Sequence, residues 1–298
     1  MLAAPRPGAE FGERVVRTVA LLERRGYALP PDLLGEVCVV GRLDEARVRE
    51  AVAAEPALEL RSGLVVSAGS LGVEAISERA SCHERAQARY LPEALAFVRT
   101  LLRLSPYVLA VSIAGSLASG GFKPSDDIDL NLVVEDGRRH LAYVVLNALG
   151  LAHALRHRGK PVDAHTRRPL APRLVTANLI LERSRCFPLE RQDEDMAYEL
   201  LVAQPVYGAT FWHEVVGRNP GLLTHFPQLG SRQSPWEQRA RRGAPRWLFP
   251  RALDRPARAL GVAGWRYMQW TRRGRPEALE RVAYVRRTMR PYALFEDA

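Results

Sequence analysis

Cysteine is scarce in this 298-residue chain, which has only Cys38, Cys82 and Cys186. Their odd number and wide spacing argue against a disulfide framework and a cysteine-based zinc site, and they predict reduced thiols. No apolar run reaches the roughly 18–20 residues that a membrane helix needs. The first residues also lack the basic-then-apolar order of a signal peptide. We therefore expect a cytoplasmic protein without membrane association.

Lysine is scarcer still, with only Lys123 and Lys160, so arginine carries most of the positive charge. Residues 230–298 contain sixteen arginines and six acidic residues, an excess that equals the formal net charge of +10 of the whole chain. Four of the five tryptophans lie in the same segment. Arginines interleaved with aromatics suit nucleic-acid binding by stacking and phosphate pairing. A helical cap with a solvated basic face is the other interpretation, and both stay open.

The first 72 residues have the outline of a winged helix. Helical periodicity covers residues 11–25, a Pro-Pro pair starts a second helix, and a third is predicted over 44–55. Two short strands then flank Arg61-Ser62-Gly63. The third helix would be the recognition helix, but it has four acids against two arginines, whereas phosphate binding needs positive charge. This favours an interaction or packing module over a DNA reader.

Residues 73–190 are expected to form a central domain, and 191–298 a helical, basic C-terminal region. A long amphipathic helix is predicted over 75–104, with a break near Pro92, followed by a buried strand over 107–115. Another strand follows at 127–134, then a helix from about Gly137 and a strand over 173–181. From Asp193 onward we predict helices, with a linker over 228–250 and two final helices over 255–270 and 276–289.

The strand at 127–134 has a polar and an apolar side. Side chains alternate along a strand, so Asp127, Asp129 and Asn131 share one face while the intervening residues are apolar. Two adjacent carboxylates repel each other unless a cation lies between them, and oxygen ligands suit Mg²⁺. Upstream, Gly115-Ser116 ends the preceding strand. A glycine there lets backbone amides approach a phosphate closely. The Gly-Ser turn and the carboxylate pair together predict a site for a nucleoside triphosphate and Mg²⁺.

The stretch "GSLASGGFKPSDDIDLNLVV" resembles the signature of the DNA polymerase β-like nucleotidyltransferase superfamily, whose core would span about 95–183 here. The resemblance implies an α+β fold with a small mixed sheet and flanking helices. It also implies a Mg²⁺-dependent enzyme (Mn²⁺ as a substitute) that transfers a nucleoside monophosphate from an NTP such as ATP to a hydroxyl. The acceptor, a small molecule, a protein or an RNA, is not specified by the sequence. The implied metal ligands and catalytic residues are Asp127 and Asp129, and the implied nucleotide-binding residues are Gly115, Ser116 and Asn178. To these we add Lys123, the lysine beside the motif, which could reach a phosphate. We also add Arg138 and Arg139, because positive charge at the start of a helix opposes the helix dipole and favours a substrate-facing role.

Later segments resemble a bacterial group of nucleotidyltransferase-domain proteins with a winged-helix-like start. These segments are "LVTANLILERS" and "DMAYELLVAQPVYG". The superfamily normally places a third carboxylate on the strand of the first segment, where this chain has Thr176 and Asn178. Asp163 is our candidate for the missing catalytic acid, and Glu182 is a second one. Without a third acid, the alternative is a catalytically weakened protein of the same fold that binds nucleotides or nucleic acid.

Two further features could ligate metal. Asp126 precedes the carboxylate pair and is interpreted mainly as a loop or capping residue. His153 and His157 are four residues apart on a predicted helix and could form half of a metal site, although the sequence offers no nearby third ligand. We interpret them as an ordinary histidine pair.

Overall fold

The computed structural model describes residues 9–157, 159, 175–239 and 243–271, together with 273, 274, 276, 279, 280 and 283. Over these residues the chain has an α+β fold in which helices surround a four-stranded sheet, with a separate two-stranded hairpin near the N-terminus. Across the same residues, no helix combines the length and apolarity required to cross a lipid bilayer.

The N-terminal region contains three helices and a hairpin in the predicted order. Asp44 caps the third helix, where its side chain accepts a hydrogen bond from the Arg47 amide at 2.9 Å. Ser62 and Gly63 both have positive φ, which the tight turn of the hairpin requires. The elements are α1 (Ala9–Glu23), α2 (Pro31–Glu36), α3 (Glu45–Ala54), β1 (Leu58–Arg61) and β2 (Leu64–Ser67).

The long helix α4 (Val73–Leu104) follows directly and continues through Pro92 without the predicted break. Its buried side includes Tyr90, Phe97 and Leu101. Gly72, at the proposed boundary, precedes the helix with a left-handed conformation. The division into domains remains a prediction.

The central sheet is mixed, with strand order β5-β4-β3-β6. Strand β3 pairs antiparallel with both β4 and β6, and β4 pairs parallel with β5 through the crossover helix α6. The elements are β3 (Val108–Ala114), α5 (Gly115–Ser119), β4 (Ile128–Val134), α6 (Arg139–Arg156), β5 (Val175–Glu182), α7 (Glu194–Val202), β6 (Gln204–Tyr207), α8 (Ala209–Gly217) and α9 (Pro220–His225).

The sheet separates two hydrophobic cores. Ile128, Leu130 and Leu132 belong to the core formed with α4 and α6. On the other face, Val133 lies in a core that also includes residues of α7 to α9 and of the N-terminal helices. The N-terminal region therefore packs directly onto the face of the sheet that carries Asp129 and Asn131.

Strand β6 was not predicted, because residues from Asp193 onward were interpreted as helices. Instead, α7 ends at Val202, and Gln204 to Tyr207 pair with the outer edge of β3. Pro205 has no amide hydrogen to donate, so it suits a strand at the edge of a sheet better than the interior of a helix.

The C-terminal segments lie against the core at several points. The predicted linker at 228–250 is in part ordered structure, because the Gln238 amide donates to the Val206 carbonyl at 2.6 Å and the Ala244 amide donates to the Arg103 carbonyl at 2.7 Å. A final helix, α10 (Asp254–Thr271), agrees with the prediction for 255–270. Asp254 anchors it to the start of α6 through the Leu141 amide at 2.9 Å. Most of the helix predicted at 276–289 lies outside the described residues.

Candidate functional site

The polar face of β4 is the centre of the candidate site. Asp127 immediately precedes the strand and Asp129 is its second residue, so backbone alternation directs both to the same side. Both carboxylates are partly buried, whereas Ile128 between them is fully buried on the opposite side. The Thr176 hydroxyl of β5 donates to Asp129 Oδ1 at 2.7 Å and fixes the orientation of this carboxylate.

Gly115 lies directly against Asp129. It adopts a φ of +60°, and a Cβ atom at this position would lie 2.3 Å from Asp129 Oδ2. The pairing of Ala114 with Asp129 across β3 and β4 explains this proximity. Only a glycine leaves room for the carboxylate and for the turn that enters α5. The structure thus brings the predicted Gly-Ser turn and the predicted metal ligand into contact.

Asp126 organises the loop between α5 and β4. Its Oδ2 atom accepts hydrogen bonds from Ser116 Oγ at 3.0 Å and from the Lys123 amide at 3.1 Å. Arg79 of α4 adds a charged hydrogen bond to the same oxygen at 2.6 Å. These three donors agree with our interpretation of Asp126 as a loop residue, and they tie Ser116 to the loop.

Lys123 is part of this loop, but its side chain points toward α4. Its Nζ atom lies 3.1 Å from Glu78 Oε2. Glu78 is largely exposed, so the pair is solvent-screened and contributes little stability. A phosphate at the Gly-Ser turn would compete with Glu78 for this ammonium group.

A buried polar network continues from Asp129 along the sheet. Asn178 of β5 donates to Asn131 Oδ1 at 2.9 Å and to Glu199 Oε1 of α7 at 2.7 Å. Glu199 is buried, and this burial raises the pKa of its carboxyl group; the guanidinium of Arg25 opposes the shift, and the charge of Asp129 adds to it. The face that holds Asp129 therefore has a second, buried carboxylate nearby.

The N-terminal region completes this side of the site. The hydroxyl groups of Tyr27 and Tyr198 lie 2.6 Å apart. Arg25 pairs with Asp195 at 2.9 Å, and its guanidinium carbon lies 4.8 Å from the centre of the Tyr198 ring. Burial raises the pKa of both tyrosines, so both hydroxyls stay protonated at neutral pH.

Two of the predicted nucleotide-binding residues lie elsewhere. Arg138 and Arg139 follow the C-terminal end of β4, whereas Asp129 lies at its N-terminal end. A seven-residue strand spans roughly 23 Å, so these arginines do not share a site with Gly115. From the sequence, we assigned Arg138 and Arg139 a substrate-facing role because positive charge at the start of a helix opposes the helix dipole. Strand β4, however, carries that helix start away from Asp129.

The two candidates for a third acid have different outcomes. Glu182 pairs with Val134 at the far end of the sheet, where its Oε1 atom accepts the Gly137 amide at 2.8 Å. It therefore caps the start of the crossover and is remote from Asp129. Asp163 lies outside the described residues.

Sequence reasoning missed Glu199 and the contribution of Arg25 and Tyr27. A glutamate between apolar residues of an amphipathic helix looks like any helical acid until the partner strand is known. One sequence signal for Glu199 was present, because the segment that resembles the bacterial group includes "AYEL" at residues 197–200. Arg25 and Tyr27 lie just after α1 and belong to no sequence motif that we recognised.

The donor set of this face fits a hard divalent cation. Asp127 and Asp129 supply carboxylate oxygens, Thr176 orients one of them, and Gly115, which lacks a Cβ atom, lets the Asp129 carboxylate lie against the Gly-Ser turn. Comparisons of the chain with protein-family models, with curated proteins and with solved structures each find no match. The fold and this geometry are therefore the basis of any assignment.

Proposed function

We propose that the chain is a Mg²⁺-dependent nucleotidyltransferase with a polymerase β-like core. It would transfer a nucleoside monophosphate from an NTP to a hydroxyl group of an acceptor. The observation that carries this proposal is the contact of the Gly115-Ser116 turn with the Asp129 carboxylate, where a Cβ atom would lie 2.3 Å from Oδ2. A phosphate-binding turn and a metal-binding carboxylate must lie this close if one nucleotide is to contact both.

The chain's own residues have distinct roles in this proposal. The backbone of Gly115 and Ser116 would bind the triphosphate, and Asp126 holds Ser116 in place through its hydroxyl. Asp127 and Asp129 would hold Mg²⁺ (or Mn²⁺), which neutralises phosphate charge and orients the triphosphate. Lys123 would exchange Glu78 for a phosphate oxygen.

Glu199 is our candidate for the role of the third carboxylate. Its hydrogen bond from Asn178 and its electrostatic coupling to Asp129 support this candidate. Because its pKa is raised, the carboxylate binds a proton more readily than an exposed glutamate does. A general base works best when its pKa approaches the working pH. We therefore propose that Glu199 accepts the proton of the attacking hydroxyl.

A second candidate function is nucleotide or nucleic-acid binding without turnover. Two observations favour it: Thr176 and Asn178 stand at the polar positions of β5 in place of an acid, and the side chains of Trp247, Tyr267 and Trp270 are exposed in the basic C-terminal region. Such exposed aromatics suit stacking on bases. This version predicts RNA or NTP binding whose affinity falls steeply with salt.

Transfer of label separates the two functions. The purified protein is incubated with Mg²⁺, a cell extract as the source of acceptors, and each NTP labelled at the α-phosphate. The enzyme predicts labelled product and pyrophosphate release, both lost in the double variant Asp127→Asn, Asp129→Asn and retained in Asp136→Asn. Asp136 is a matched control because it lies beyond the far end of β4, bonded to the Ser184 amide. Binding without label transfer supports the second function, and label transfer by the double variant would refute the proposed site.

A further inference from the structure

A third potential metal ligand, which the sequence did not reveal, lies beside His153 and His157. Both lie at the C-terminal end of α6, one helical turn apart, so their side chains share a face. Glu93 of α4 lies opposite them, sixty residues earlier in the chain. One ligand atom from each of the three residues can be chosen so that all lie within 4.8 Å of one another. Our interpretation of the two histidines as an ordinary pair rested on the lack of such a third group.

We propose that Glu93, His153 and His157 form a zinc site that links α4 to the end of α6. A donor set of two imidazole nitrogens and one carboxylate oxygen binds Zn²⁺ in preference to Mg²⁺. The site lies on the α4 and α6 side of the sheet, whereas Asp129 and Asn131 lie on the other side. It is therefore separate from the proposed nucleotide site.

Two polar atoms of the cluster have no hydrogen-bond partner in the part of the chain that the structure describes. Glu93 Oε2 and His153 Nε2 are both buried there without a hydrogen bond. Burying such atoms without a partner is unfavourable, and a bound cation would satisfy both. Glu93 Oε2 lies 3.8 Å from His157 Nδ1. Ligand atoms around tetrahedral zinc are about 3.3 Å apart, so small side-chain rotations suffice to close the site.

The residues around His153 restrict its ring and favour its neutral form, and both effects favour metal binding. The His153 ring packs edge-on against Phe97 at 5.7 Å and lies 4.5 Å from the His157 ring. These contacts restrict the imidazole before any ion binds. Burial, with the nearby charges of His157 and Arg156, lowers the pKa of His153 and favours the neutral form that ligates metal.

Three protein ligands leave one position of tetrahedral zinc for water. Side-chain exposures of 30% for His157 and 23% for Glu93 give the ion a route from solvent. A bound zinc ion would therefore cross-link α4 and α6. Helix α4 also holds the Asp126 loop, through the hydrogen bond from Arg79.

The test is zinc binding by the full-length protein after removal of metal with a chelator. Titration in competition with a chromophoric chelator should give one Zn²⁺ per chain with a dissociation constant below about 1 µM. Saturating zinc should raise the thermal midpoint by roughly 5 °C. Co²⁺ in place of Zn²⁺ should show the visible absorption of a four-coordinate site.

Variants locate the ion. Glu93→Gln and His157→Ala should each weaken zinc binding at least tenfold and abolish the rise in midpoint, while their midpoints in chelator stay near that of the wild type. His213→Ala is the matched control, because it removes one exposed histidine elsewhere. The double variant Asp127→Asn, Asp129→Asn should bind zinc normally. The proposal would be overturned if the wild type did not bind zinc at micromolar concentration, or if Glu93→Gln and His157→Ala bound zinc as tightly as the wild type does.

Discussion

At Gly115 a single methyl group should decide whether the site can form. The left-handed φ alone costs alanine about 1–3 kcal/mol, and the Cβ would lie 2.3 Å from Asp129 Oδ2. We expect Gly115→Ala to lower the free energy of unfolding by more than this strain and to abolish nucleotide binding. Gly63→Ala is the control, because Gly63 has a φ of +78° with no atom within 4 Å of the added Cβ. Chemical denaturation and nucleotide titration of both variants measure the difference, and equal losses would show that the contact with Asp129 is unimportant.

The buried carboxyl of Glu199 predicts a specific pH dependence of stability. Burial raises the folded-state pKa of this carboxyl group above its ordinary value of 4.5. Between these two values the folded state binds more protons than the unfolded state, so this group's contribution to stability falls as pH rises through that window. Glu199→Gln removes the titration, and the difference in unfolding free energy between wild type and variant should shift in favour of the variant as pH rises above about 4.5. A pH-independent difference would contradict the buried, coupled state of Glu199.

At the scale of elements, α4 supports the loop that precedes β4. Arg79 and Asp126 have side-chain exposures of 26% and 19%, so their hydrogen bond is partly shielded from water. Arg79→Ala should cost about 1–3 kcal/mol and should speed amide hydrogen exchange over residues 120–127. In contrast, Arg49→Ala breaks an exposed pair with Glu45 in α3 and should cost less than about 1 kcal/mol. Unchanged exchange in Arg79→Ala would show that the loop is held by other contacts.

Elements with a strong local signal could be predicted from the sequence, and those that depend on distant partners could not. Helix α3 was predicted because Val48 and Ala51 lie at helical spacing, and both are buried in the structure. Strand β4 was predicted from its alternation. Strand β6 has four residues and a proline, and the strand with which it pairs is β3, about ninety residues earlier in the chain. Local propensity carries no information about that partner.

The same limit applies to the candidate site. Asp129 and Gly115 form a local motif, so their proximity was predictable from two adjacent strands. Glu199 reaches the site only because α7 packs across β4 and β5 and Asn178 meets it there. Arg138 was assigned to the site because its charge opposes the dipole of the helix that it opens, but the seven residues of β4 separate that helix start from Asp129. Tertiary structure, rather than spacing in the sequence, decides the positions of Glu199 and Arg138.

For the whole molecule, the shared core predicts that the N-terminal region is required for folding. Val15, Leu34 and Val48 belong to the same buried cluster as Leu181 and Tyr198. A fragment comprising residues 73–298 would expose this apolar face, so we expect it to aggregate or to unfold without cooperativity, whereas the full chain unfolds cooperatively. Circular dichroism during thermal unfolding of both proteins tests this. A fragment with a sharp transition would show that the two regions fold independently.

The most direct test of the central claim is Mn²⁺ binding measured by electron paramagnetic resonance with a non-hydrolysable NTP. We predict that the nucleotide adds one tightly bound Mn²⁺ per chain, and that Asp136→Asn behaves like the wild type. The double variant Asp127→Asn, Asp129→Asn should lose this nucleotide-dependent ion. If the wild type gains no ion with nucleotide, or if the double variant gains the same ion, then Asp127 and Asp129 do not form a metal–nucleotide site.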